Sequence, residues 1–501
     1  MAPEFPMPTL HARGEGGVTR RTVLKTAGLA AGWTIVPRAV LGGGGATPPS
    51  DRVALAFVGV GSQGLRVMME FLKHEDVQAV AVCDVNAGSD DFSEWGQHEL
   101  RNKVRALIGS STWGEREHYR GGIAGRGPAK QVVEAYYAKS TRSGSYTGCA
   151  EADDYRKLLT SAPGIDGVVI GTPDHLHAPV AVAAMRAGKH VFCQKPMSHS
   201  VAEAHRMAAV ATETKVATQV AIGNQASEAT RQLCEWVWSG AIGPVREVIN
   251  WSDRPYWPQG IARPETVDPV PAHLNWDLWL GPAPVRPYNA AYQPFVWRGW
   301  HDFGAGAIGD MGCYSFDTIF RVLKLDAPAT VEAAAASPMP ETFPRAEIIY
   351  FDFPARGDMP PVRVTWYDGG LRPPRPAELG DTPLDATGLL FVGERGTILC
   401  GFNGGRPRLI PAEKMSAFTA PAPTLPRSPG NDREWLNACK GGPAGGASFA
   451  FSARVTEAVL LGNIAARTGQ RITWDLTSRR ITNVDAANQH LGRAYRAGWE
   501  L

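Results

Sequence analysis

A lysine set at the end of an apolar run is the first chemical signal in this chain. His190-Val191-Phe192-Cys193 reads as a short buried strand, and Gln194-Lys195-Pro196-Met197 stops it abruptly. Open α/β sheets bind ligands outside the carboxyl ends of their strands, so the Lys195 amine is expected in a ligand cleft, where it can transfer a proton. Upstream, Gly59-Val60-Gly61-Ser62-Gln63-Gly64 has the Gly-x-Gly-x-x-Gly spacing. Its glycines permit a tight turn and let backbone N–H groups approach a pyrophosphate at a helix amino terminus. Asp84, at the end of the next apolar run, stands where a carboxylate bonds the adenosine ribose hydroxyls. A carboxylate there repels the extra phosphate of NADP, so NAD(H) is the expected cofactor. Downstream, Asp310 and Tyr314 lie four apart on one helical face after the glycine-rich 304–309, a spacing that lets both approach the lysine.

Periodicity gives the elements that must position these groups. Val53 to Val58 reads as a strand buried on both faces, the helical pattern Leu65, Val67, Met68, Phe71, Leu72 follows the glycines, and Val77 to Val82 is a second strand. From 87 to about 150 the pattern loosens, as expected of an insertion on the nucleotide domain. Sheet patterning resumes with the strand Gly167 to Ile170, a helix from Pro179 to Ala187, the strand before Lys195, and a last strand from Lys215 to Ile222. A Rossmann domain is therefore expected over 51–222.

Residues 223–501 are expected to form a second, α/β domain for substrate binding and oligomerisation. It begins with a helix from Glu228 to Trp238 and a strand from Val245 to Trp251. Aromatic residues crowd 251–303, and flat rings suit the C–H faces of sugars while Arg298 and His301 can meet the hydroxyls. Beyond a helix from Asp310 to Val322, the alternating runs Glu347 to Phe353, Val362 to Tyr367, Leu389 to Val392 and Thr397 to Cys400 indicate an open, mainly antiparallel sheet with one packed face. The other face is free or buried in a dimer.

Composition narrows the partners. Lys+Arg number 51 against 49 Asp+Glu, and no basic block marks a nucleic-acid surface. The seven cysteines have no Cys-x-x-Cys spacing, so neither a disulfide framework nor a metal site is expected. At the amino terminus, Arg20-Arg21 with Leu24-Lys25 precedes an apolar run from Thr26 to Val36 and resembles a twin-arginine export signal, residues 1–50 being signal and glycine-rich linker. That implies the export machinery as a partner and a periplasmic or exported location, with the signal cleaved or kept as an anchor.

The glycine motif, Cys83-Asp84-Val85-Asn86, Gly171-Thr172-Pro173 with His177, and the run from Gly188 to Pro196 together resemble the glucose-fructose oxidoreductase, inositol dehydrogenase and rhizopine-catabolism family, Gfo/Idh/MocA. The leader, Trp276 to Pro282 and Gly498-Trp499-Glu500 are similar to its exported, sugar-acting bacterial branch. The resemblance implies a cofactor site of Gly59, Gly61, Ser62, Gln63, Gly64, Asp84, Thr172, Pro173, His177, Gln194 and Lys195. It also implies catalysis by Lys195 with Asp310 and Tyr314, and substrate contacts from these three with Arg298 and His301. Gln194 stands where the family has glutamate; the missing anion is expected to lower the lysine pKa and favour the neutral amine. Tyr314 stands where the family has its catalytic histidine, leaving it a proton donor rather than a base. The implied activity is NAD(H)-dependent oxidation or reduction of a sugar, cyclitol or glycoside with tightly held, recycled cofactor, in a homo-oligomer (dimer or tetramer). Two alternatives stay open: an NAD-dependent glycoside hydrolase working by oxidation, elimination, hydration and reduction, and a noncatalytic sugar sensor.

Overall fold

Strands buried on both faces organise the amino-terminal half of the computed structural model, which describes residues 51–162 and 164–501. The paired arginines lie outside the described residues. In chain order, β1 (Val53–Val58) leads into α1 (Ser62–Leu72), then β2 (Val77–Cys83), β3 (Ser89–Phe92), α2 (Glu99–Ile108), β4 (Gly122–Ala124) and α3 (Arg126–Ala138). There follow β5 (Ala150–Ala152), α4 (Tyr155–Ser161), β6 (Gly167–Ile170), α5 (His177–Arg186), β7 (His190–Cys193), α6 (Val201–Thr214) and β8 (Thr218–Val220). Six of these strands form one sheet in the order β5-β2-β1-β6-β7-β8, and every pair in it is parallel. The chain leaves β1 toward one edge and returns at β6 on the other side, which puts the topological switch point between the ends of β1 and β6. Within 87–150, β3 and β4 make a separate two-stranded ribbon, while α3 packs on β2 and β5 as the crossover between them.

The second half alternates rather than runs apolar. Helix α7 (Glu228–Trp238) and β9 (Val245–Trp251) open it, followed by a short α8 (Trp276–Leu280) and α9 (Cys313–Leu323). Strands β10 (Thr330–Ala336), β11 (Ala346–Phe353), β12 (Val362–Tyr367), β13 (Gly388–Gly393), β14 (Thr397–Cys400) and β15 (Arg408–Ile410) come next. After α10 (Ala412–Ala417), α11 (Asn431–Cys439) and α12 (Phe449–Thr468), the chain closes with β16 (Ile472–Asp475) and β17 (Arg480–Ile481). These nine strands from β9 onward pair in the order β15-β14-β13-β9-β12-β11-β10-β16-β17. Every neighbour is antiparallel except β9 with β12, so the expected α/β fold with a mainly antiparallel second sheet is what forms. On β11, Ile349, Phe351 and Phe353 point inward and are buried, with Ile348, Tyr350 and Asp352 between them half-buried on the other face.

Two contacts bind the halves into one unit spanning Val53–Leu501. Helix α11 returns to the first sheet, where the fully buried Trp435 meets Phe71 edge-on at 5.6 Å and Phe192 at 5.5 Å. Helix α12 is long and apolar enough by composition to cross a membrane, but 83% of that window is buried, and it packs on α6, α9, β10 and β11 as the shared core helix. All seven cysteines are free thiols.

Candidate active site

The glycine turn is built from close backbone contacts. Gly59 has φ +81°, and a Cβ there would sit 2.4 Å from Thr172 N, so the ends of β1 and β6 approach as only glycine allows. Gly64 stands behind the turn, where a Cβ would fall 1.9 Å from Gly59 O. Asp84 fastens the loop: Oδ2 accepts from Val60 N at 2.7 Å and Oδ1 from Asn86 N at 2.8 Å. Burial raises its pKa to about 6, against the opposing pull of those two N–H groups. Each oxygen keeps a second acceptor site.

A cleft of about 440 Å³ runs from this turn to Lys195. Gly59, Gly61, Ser62, Gln63, Asp84, Thr172, Pro173, Gln194, Lys195, Arg298, Asp310 and Tyr314 all line it. The cleft's first half fits a dinucleotide. The amino terminus of the 11-residue α1 opens onto it, and the buried Thr172 Oγ1 has no hydrogen-bond partner within the protein. The ring of Phe92, from the ribbon, stands over Gly61, and Trp95 meets Phe295 edge-on at 6.0 Å across the cleft.

At the other end Lys195 is fixed from both sides of its strand. Its amine donates to Asp310 Oδ1 at 2.7 Å and to Asp310 O at 2.8 Å, and Arg298 Nε donates to the same Oδ1 at 3.0 Å. Asp310 belongs to a π-helical turn, Ile308–Gly312, rather than to the regular helix expected from Asp310 onward. The wider turn leaves the Asp310 carbonyl free to accept from the lysine. Behind Lys195, Ser200 and Glu203 form a reciprocal capping box at the start of α6, which anchors the Lys195 loop.

The electrostatics correct one expectation. With glutamine at 194, the lysine was expected to lean toward the neutral amine. Burial does push that way, but the Asp310 carboxylate outweighs it and holds the Lys195 pKa above the ordinary lysine range. The anion absent at position 194 is supplied from 115 residues downstream. Asp310 itself is held to about 2, because Lys195 and Arg298 together outweigh the cost of its burial. Tyr314 lies with its ring centre 5.0 Å from Lys195 Nζ, and burial raises its pKa, so its hydroxyl stays protonated.

Besides Gly64, which stands behind the turn, two expected site residues lie off the cleft. His177 is fully buried off the cleft, with Nδ1 2.7 Å from Pro196 O and Nε2 3.0 Å from Thr172 O, and it ties the β6 turn to the lysine loop. Burial lowers its pKa to about 4. His301 follows a short helical turn, Val296–Gly299, that points Arg298 into the cleft; the chain then reverses, and His301 lines a second cavity and packs against Phe343 at 4.3 Å.

The cleft also holds residues that the sequence did not single out. Asp174, one residue past Thr172-Pro173, is 3% exposed on the cleft wall, and burial raises its pKa to about 8. Its signal was its place at the end of β6, beside Lys195 at the end of β7. Of the aromatic crowd, Trp276, Tyr288, Tyr292, Trp300 and Phe303 fill a buried cluster, Trp279 and Trp297 belong both to that cluster and to the cleft wall, and Trp257 and Phe295 face the cleft, with Arg298 stacked 4.2 Å from Trp297.

Comparison with known proteins bears on the family and the fold. A family model described as an oxidoreductase family, NAD-binding Rossmann fold matches residues 105–222, and its companion, the C-terminal alpha/beta domain, matches 241–352. A 1,5-anhydro-D-fructose reductase from Ensifer adhaerens is 27% identical over 238 residues, 46% of this chain and 59% of the relative. A glycosyl hydrolase family 109 protein from Stenotrophomonas maltophilia is 29% identical over 144 residues, 28% of this chain and 23% of the relative. The chain thus spans less than two thirds of the length of either relative. Among solved structures, the WlbA dehydrogenase from Bordetella pertussis, in complex with NADH and UDP-GlcNAcA, superposes with a TM-score of 0.53 at 16% identity, covering 85% of this chain and 99% of that one, a likeness of fold.

Proposed function

We propose that this chain, which matches the two oxidoreductase-family models over residues 105–222 and 241–352, is a Gfo/Idh/MocA-type NAD-binding oxidoreductase that moves a hydride between NAD(H) and an oxygen-bearing carbon of a sugar, cyclitol or glycoside. The observation that carries this reading is the Lys195–Asp310 pair standing in one cleft with the glycine turn. When bound, the nicotinamide supplies or takes the hydride. Gly59, Gly61, Ser62, Gln63, Asp84 and Thr172 hold the dinucleotide. Lys195, kept charged by Asp310, bonds the substrate oxygen and gives it a proton as a carbonyl is reduced. In the opposite direction the lysine must first lose its proton, so alkaline solution favours oxidation. Arg298 holds Asp310 in place, Tyr314 donates to a neighbouring substrate oxygen, and Trp257 and Phe295 meet C–H faces. The test is Lys195→Ala: a fall in kcat of about 10²- to 10⁴-fold is expected with NAD still bound, and retained turnover overturns the assignment.

The family 109 relative favours a second reading, a glycosidase that oxidises its substrate, eliminates the aglycone, adds water and reduces the product with the same tightly bound NAD. Nicotinamide absorbance and aglycone release measured together on chromogenic glycosides separate the two. Lasting reduction without aglycone marks a dehydrogenase, and sustained release without net reduction marks the redox-cycling enzyme. We propose in addition that the protein is exported after loading its cofactor and works as a dimer or tetramer. Arg20-Arg21 supports the first point, and the alternating outer face of the second sheet supports the second.

A further inference from the structure

A second cavity of about 350 Å³ lies behind the Lys195 loop and shares no lining residue with the cleft. Three buried polar atoms on its lining residues have no partner within the protein: His199 Nδ1, Asn463 Oδ1 and Arg493 Nη1. Their neighbours fix what each can do. His199 Nε2 sits 2.8 Å from His301 O and must donate to it, which leaves Nδ1 an acceptor. Asn463 Nδ2 donates to Ala305 O at 2.8 Å, so its free oxygen is also an acceptor. Arg493 spends Nε on Glu203 and Nη2 on Glu203 and His175 O, so Nη1 remains a cationic donor. Arg467, the exposed cation of the lining, makes no ion pair among the described residues. Asp302, the one carboxylate on the lining, is already taken by Arg286.

We propose that this cavity binds a small polyhydroxylated anion, its charge met by Arg467 and Arg493 and its hydroxyls donating to Asn463 Oδ1 and His199 Nδ1. Unpaired buried acceptors call for donors, and unpaired guanidinium N–H groups call for an anion. A neutral polyol satisfies only the first demand and a simple carboxylate only the second. The volume suits a ligand of monosaccharide size. A sugar carboxylate and a polyol phosphate share this chemistry, and the experiment keeps them apart.

The test is calorimetric titration of the NAD-loaded full-length protein with gluconate, glycerol 3-phosphate, sorbitol and acetate. Saturable binding of gluconate or glycerol 3-phosphate is expected, at least about tenfold tighter than sorbitol or acetate; whichever of the two binds names the anion. Arg467→Gln, an exposed change at the last turn of α12, should weaken that binding about tenfold or more. Lys195→Ala, which alters the cleft alone, should leave it unchanged. The proposal falls if neither anion binds saturably, if sorbitol binds as well as the anions do, if Arg467→Gln has no effect, or if Lys195→Ala abolishes the signal.

Discussion

The two ends of the cleft are made of different material. At the glycine turn the contacts are backbone to backbone or backbone to carboxylate: Gly59 against Thr172, and Asp84 against Val60 and Asn86. At the Lys195 end they are charge to charge between side chains far apart in sequence, with Asp310 shared by Lys195 and Arg298. The first end works by excluding side chains and the second by placing them. Substitutions should therefore fail differently at each: through lost cofactor affinity at the turn, and through altered proton transfer at the lysine.

Gly59→Val should give the largest contrast to Lys195→Ala. Added bulk would collide with the β6 turn in a conformation that β-branched residues avoid, so NAD affinity measured by fluorescence should fall by about 100-fold or more. If NAD bound normally, the division of labour would be broken. Asp310→Asn should do the reverse, leaving NAD affinity within about threefold and lowering kcat for reduction at neutral pH by roughly 10- to 100-fold. Without its anion Lys195 deprotonates more readily, so the alkaline rise of oxidation should move to lower pH. An unmoved profile would mean that Asp310 does not set the charge of the lysine. Tyr314→Phe should be milder, about tenfold or less in kcat, because a protonated phenol there orients substrate without taking its proton.

Two carboxyl groups in the same cleft sharpen the comparison through stability. Asp310 is held to about 2, below its unfolded value, so its contribution is present above about pH 4 and disappears as pH falls toward 2. Asp174 is raised to about 8, so between about pH 4 and 8 the folded state binds the extra proton and stability falls as pH rises. Melting temperatures of Asp174→Asn should decline less across that window than those of the parent. Equal slopes would remove Asp174 as the cause.

These differences also explain what the sequence could disclose. Helix α7 and strand β9 were legible to the residue because their periodicity is local, as were the glycine turn and the position of Lys195. The charge state of Lys195 was not: Asp310 was expected near the lysine, but whether burial or the carboxylate prevails depends on a 2.7 Å contact presented by a π turn that no spacing rule signals. His301 was misplaced because composition around 251–303 says which side chains are near one another, not which side of a chain reversal they occupy. Asp174 went unassigned because the raised pKa that makes it notable comes from burial, a property of the folded chain.

The continuous core has a mechanical consequence. A single set of buried contacts runs from the first sheet through α12 to the second, and Trp435 pins the returning chain to β7 through Phe192. A hinge needs a plane across which few contacts pass, and this shared core leaves none between the two sheets among the described residues. The placement of the two sheets is therefore set when the chain folds. The Trp95 and Phe295 rings that meet across the opening lie outside that core and can swing without breaking it.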